Sequence, residues 1–171
     1  MRTSQIIKAA AAFIAGIFIT FSQVHDANVA MFGLLLISAG WFLASLFLIL
    51  KNINPVINGL LMLATAAMAW LAVSFEAYNA TNMAWILLQS WGLFGAIVEL
   101  IFALRSEKKS AQRRDYFINA ALALGLFVSQ ISITAEADSV SHVGFFGAYA
   151  TILGVHLGIA AASPSTTKTK A

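Results

Sequence analysis

Between residues 6 and 162 the chain is a succession of six apolar runs, each close to twenty residues long and set apart by short polar stretches. A helix needs about 20 apolar residues to cross ~30 Å of hydrocarbon, so each run has the length of one membrane span. The runs cover 6–21, 29–50, 56–73, 83–104, 116–133 and 143–162. Lipid admits only helices and closed barrels, because backbone groups must find their hydrogen bonds within the protein. Barrel strands alternate apolar and polar residues, whereas these runs are apolar on both parities. The expected fold is therefore an all-α membrane protein: a single six-helix transmembrane domain over 1–162, then a disordered tail over 163–171. Only 10% of the residues are charged, against about 25% in a soluble domain, so lipid must be the main solvent.

Charge sets the expected orientation. Arg105-Ser-Glu-Lys-Lys-Ser-Ala-Gln-Arg-Arg-Asp115 is the one long charged run and holds five of the ten Lys and Arg residues. Short basic loops stay on the cytoplasmic side. With six spans, all ten Lys and Arg fall on that side, while Asp26, Glu76, Glu136, Asp138, His25 and His142 fall on the other. Both termini are then expected in the cytoplasm. The 105–115 loop is expected to meet anionic lipid headgroups. The basic residues sit at the ends of apolar runs and form no face, so nucleic acid is not an expected partner. Ser22-Gln-Val-His-Asp26 offers no small-x-small cleavage site, and span one reads as retained rather than as a signal peptide. Asn52-Ile-Asn-Pro55 reads as a turn. Asn79-Ala-Thr81 matches a glycosylation sequon of a kind common by chance.

The chemistry available is narrow. There is no cysteine, which excludes disulfides, thiolate metal sites and thiol catalysis. Three His and few carboxylates make a dedicated metal site unexpected. No nucleophile elbow, phosphate loop or His-x-x-x-His motif occurs. The expectation is a non-enzymatic protein with no catalytic, cofactor-binding or metal-binding residues.

A repeat is visible. Phe21-Ser-Gln23, Phe75-Glu76 and Val128-Ser-Gln130 close outward spans about 53 residues apart, which suggests three two-helix hairpins. The returning helices carry small residues: Gly40 and Ala44, Gly92 and Ala96, and Ala150, Gly154, Gly158 and Ala162. Helices in lipid approach closely only over small side chains. Gly40, Gly92, Gly154 and Gly158 are accordingly expected at helix contacts, with a narrow pore as the other reading. Assembly into a homo-oligomer is left open.

Ala15-Gly-Ile-Phe-Ile-Thr20, Gly33-Leu-Leu-Leu-Ile-Ser-Ala-Gly40, Leu93-Phe-Gly-Ala-Ile-Val-Glu-Leu-Ile-Phe-Ala-Leu-Arg105 and Phe117-Ile-Asn-Ala-Ala-Leu-Ala-Leu-Gly125 give the chain a rhythm of glycines and apolar runs. In this it resembles the HdeD-like family, small six-span membrane proteins named after a bacterial acid-resistance protein. The resemblance covers 6–161. Ser22-Gln23 and Ser129-Gln130 stand where that pattern would have a proline. The resemblance implies an inner (plasma) membrane protein linked to acid or envelope stress. It carries no catalytic residues over to this chain.

Polar residues inside the spans are the candidate site. A charge at mid-bilayer costs roughly 2.5–3.5 kcal/mol, which singles out Glu99. It lies six residues before Arg105, about 9 Å along a helix, on a stripe with Trp85, Gln89, Gly92 and Ala96. It reads either as a snorkelling packing element or as a proton-titrating or solute-contacting group. His156 lies at matching depth in span six, pointing away from Gly154 and Gly158, and could pair with Glu99. Asn58, Thr65, Asn119 and Gln130 read as interhelical hydrogen-bonding residues, and Trp70 and Trp85 as an aromatic belt. Two functions compete: a stress-tolerance protein without flux, and a channel or carrier for a small neutral or weakly acidic solute lined by Gln89 and Glu99.

Overall fold

With no water to satisfy it, an apolar run in lipid coils so that its own carbonyls take up its N–H groups. All six runs do so in the computed structural model, which describes residues 2–74, 81–133 and 139–163. The helices are α1 Arg2–Phe21, α2 Ala27–Leu50, α3 Pro55–Ser74, α4 Thr81–Arg105, α5 Ala111–Ser132 and α6 Ser139–Ala162. All six are long and apolar enough to cross a membrane. The loop residues 75–80 (with Glu76 and the sequon's Asn79), residues 134–138 (with Glu136 and Asp138) and the tail 164–171 lie outside the described residues.

Local chemistry explains where the helices stop. Asp26 caps α2, its Oδ1 accepting the Val29 N–H at 3.0 Å, and Pro55 opens α3, where its missing N–H costs nothing. Between them, Asn52 takes the left-handed conformation at φ 53°. The Ile53 N–H reaches the Leu48 carbonyl at 2.9 Å and the Asn52 N–H that of Ile49 at 2.8 Å. This is a Schellman closure, with Asn in the place usually taken by glycine because it tolerates positive φ.

Three boundaries differ from the hydropathy reading, each because a helix runs past the end of its apolar run. α1 begins at Arg2, so Lys8 lies within the helix and not in a basic head. α5 begins at Ala111, because Ser110 accepts the Arg113 N–H at 3.1 Å and caps it. The second half of the basic stretch is therefore helical. α6 begins at Ser139, which moves His142 from a loop into a buried helical position.

The most extensive helix contacts are α1 with α6, α4 with α5, and α2 with α3; α1 with α2 comes next. α3 meets α4 over a much smaller area, as does α5 with α6. Helices adjacent across the loops at the basic end thus pack closely, and the first helix closes on the last. Glycines set these distances. A side chain at Gly16 would collide with Thr151, and one at Gly154 would come within 2.6 Å of the Phe13 backbone nitrogen. At Gly92 it would meet the Phe127 nitrogen at 2.8 Å, and at Gly40 it would strike Ala11. A side chain at Gly158, by contrast, would meet nothing within 4 Å. Ile19, Leu34, Ile37, Leu88, Val143 and Phe146 form the fully buried centre. The outer faces show large apolar side chains such as Ile14, Leu63 and Ile159, each more than half exposed in the isolated chain.

Candidate functional site

Two polar clusters interrupt the apolar core, one toward each end of the bundle. The first forms where α4 and α5 touch over Gly92, whose missing side chain lets the Ala123 and Phe127 backbone come close. At that separation Asn119 on α5 reaches Glu99 on α4, its Nδ2 donating to Oε2 at 3.3 Å. Glu99 is 8% exposed and Asn119 5%. Lys8 enters from α1, with its ammonium 5.1 Å from the Trp41 ring centroid. The Lys8 and Glu99 charges act on each other, but they do not touch. Among the described residues the ion pair within 4.0 Å is Arg114 with Asp115, at 3.8 Å.

Glu99, Lys8 and Asn119 line a cavity of about 420 Å³ whose other walls include Ser4, Gln5, Asn54, Asn58, Arg105, Gln112 and Tyr116. Several of these residues sit at helix ends, so the cavity is a vestibule at the end of the bundle that carries the basic loop. Deeper in, Lys8, Glu99 and Asn119 also border a chamber of about 20 Å³, enclosed by Trp41, Trp91, Gly95 and Tyr149. Trp91 lies edge-on to Trp41, with centroids 5.9 Å apart. The chamber walls hold two buried polar atoms without a hydrogen-bond partner: the Trp91 indole N–H and the Asn119 carbonyl oxygen, Oδ1. Buried polar groups are nearly always paired, so a donor and an acceptor left open beside one cavity mark it as a site for something to bind.

The second cluster lies at the opposite end. Gln130 is completely buried and His142 nearly so. His142 Nδ1 and Gln130 Oε1 are 2.7 Å apart. A carboxamide oxygen can only accept, so Nδ1 carries the proton. Gln130 Nε2 returns a bond to the His142 carbonyl at 2.9 Å, and Trp85 stacks on the imidazole at 4.3 Å and 7°. Gln89 Nε2 donates to the Gln130 carbonyl at 3.5 Å.

The structure sorts the residues singled out from sequence. Glu99 meets Asn119 and Lys8. His156 lies close enough to interact with Glu99 electrostatically, yet it makes no hydrogen bond to it, and its Nε2 is buried without a partner. Gln89 belongs to the opposite cluster, about 15 Å along α4 from Glu99 at 1.5 Å per residue. Asn119 and Gln130 bond across helices, but Asn58 and Thr65 do not. Asn58 Nδ2 donates to the Ile53 carbonyl at 2.7 Å, and Thr65 Oγ1 to that of Leu61 at 2.8 Å. Trp70 is 72% exposed, as a belt residue would be, whereas Trp85 is buried against His142. Lys8, Trp41, Trp91 and Tyr149 went unnoticed. Lys8 could have been found: it stands six residues from Arg2, the same depth as Glu99 from Arg105. The aromatic residues carried no signal, since nothing in a hydropathy pattern separates a cavity wall from a packed core. Among the described residues no group of three or more His, Asp and Glu could hold a metal. No family of known proteins, no curated protein and no solved structure matches the chain.

Proposed function

We propose that this chain is a non-enzymatic multi-pass membrane protein that carries a small neutral or weakly acidic solute, admitted through the basic-end vestibule to the Lys8–Glu99–Asn119 site. The observation that carries this reading is the cavity of about 420 Å³ reaching a buried carboxylate. A charged pair inside hydrocarbon is expensive to keep and marks a solute or ion path by default. A protein needing only close packing has no use for it.

In this reading the membrane is a bacterial-type inner membrane, and the basic end faces the cytosol together with both termini, as the one-sided Lys and Arg distribution favours. A triplicated hairpin fits the packing: the three closest helix pairs, α6 with α1, α2 with α3 and α4 with α5, are those that join successive two-helix units into a ring. Anionic headgroups suit a lipid-facing groove bordered by Lys109, Arg113 and Arg114 above Phe117 and Ile118.

A second reading is supported by the closed opposite half, where Leu34, Leu88, Val143 and Phe146 leave almost no surface exposed. There the protein moves nothing and serves acid or envelope stress tolerance, as its resemblance to HdeD-like proteins implies. Purified protein in liposomes separates the two. Protein-dependent uptake of a small neutral solute or weak acid, reduced by Glu99→Gln, supports the carrier. Tight vesicles, together with a survival defect at low pH in cells lacking the gene, support the stress role.

A further inference from the structure

We infer that the inner chamber is a hydroxyl-binding site and that the carried solute is a small neutral polyol; this rests on the carrier reading and narrows it.

Three observations converge. The first is the pair of unpartnered atoms in the chamber wall. Trp91 Nε1 can only donate and Asn119 Oδ1 can only accept. Both side chains are at least nine-tenths buried. Their complement is a group that accepts from an indole N–H and donates to an amide oxygen. A hydroxyl does both with one atom.

The second is size. The chamber holds about 20 Å³, and a cavity needs about 10–15 Å³ measured in this way to take one water. It therefore takes one hydroxyl and no larger group. A carboxylic acid or carboxamide could place one oxygen there but would leave its second heteroatom against apolar wall. The rest of a bound molecule must lie in the vestibule, whose neutral lining of Ser4, Gln5, Asn58, Gln112 and Tyr116 offers several hydrogen-bonding groups to further hydroxyls.

The third is charge. Lys8 and Glu99 both border the chamber, so one positive and one negative charge offset each other at its mouth. A net ion entering there finds no uncompensated counter-charge for the water it gives up. A neutral solute loses only hydrogen bonds, and the open donor and acceptor replace them.

The probes are radiolabelled glycerol and acetate, given to liposomes containing the full chain. Saturable, protein-dependent glycerol uptake is expected, with acetate much slower. Trp91→Phe removes the indole donor and keeps an aromatic ring in place. It should raise the half-saturating glycerol concentration about tenfold, the worth of one hydrogen bond to an otherwise unpaired group. Gly95→Ala tests the same site without touching a polar atom. Its new methyl would sit 3.3 Å from the Ala123 side chain and fill the chamber, so glycerol uptake should fall at least as far. Helicity and elution volume matching wild type show that each variant is folded. Acetate uptake in place of glycerol, or glycerol uptake that both folded variants leave unchanged, overturns the hydroxyl assignment and leaves a carrier. Absence of protein-dependent uptake of either probe overturns the assignment and the carrier reading together.

Discussion

Removing either charge of the Lys8–Glu99 pair should cost more than removing both. Glu99→Gln keeps an acceptor for Asn119 but leaves the Lys8 ammonium without its counter-charge. Lys8→Met keeps the apolar stem and leaves Glu99, only 8% exposed, as a lone carboxylate. The two groups stand more than 4.0 Å apart, and at 4 Å with an effective dielectric of 20 their attraction would be about 4 kcal/mol, an upper bound. Both also border a vestibule of about 420 Å³ at the basic end, where water weakens the attraction further. A coupling of about 2 kcal/mol is the working value: each single substitution costs about 2 kcal/mol and the double about as much as either alone. The assay is reversible unfolding in mixed micelles of the four members of the cycle. Single effects that add to the double within about 0.5 kcal/mol, the usual scatter of independent sites, would refute the claim that the charges share a site.

Gly154→Ala and Gly158→Ala should part company although both glycines lie on one stripe. The first drives a methyl to within 2.6 Å of the Phe13 backbone nitrogen and should cost about 1–3 kcal/mol; the second meets nothing within 4 Å and should stay within about 0.5 kcal/mol in the same unfolding assay. His142→Phe keeps a ring against Trp85 but strands Gln130 Oε1, so it should cost about 1–3 kcal/mol, and adding Gln130→Leu should recover most of that. A reporter fused after residue 162 should be active only in the cytosol and one inserted between α5 and α6 only outside; the reverse pattern would invert the proposed orientation.

How much of the site was legible follows from what kind of signal each residue carries. Glu99 was visible because a carboxylate in an apolar run is costly wherever the helices go. Its partners were not, because hydropathy gives depth along a helix and not the neighbour across from it. Depth matched both Lys8 and His156 to Glu99. The vestibule wall brought Lys8 to it, while His156 turned elsewhere. Gln89 shared a stripe with Glu99 on α4, yet 15 Å of helix separates them, and Gln130 claimed it. Asn58 and Thr65 looked like interhelical bonds, but each found its own helix backbone first.

What the chain settled alone is the existence of six rods. Length and apolarity leave lipid-bound backbone no other way to satisfy its hydrogen bonds, and this holds whichever rods become neighbours. What tertiary structure decided is which rods touch. Closing α1 on α6 and α4 on α5 depends on where a missing side chain lets two backbones meet, at Gly154 and Gly92. That is a matter of shape across helices, to which a count of apolar residues is blind. The chamber beside Glu99 exists only because those contacts leave a gap there.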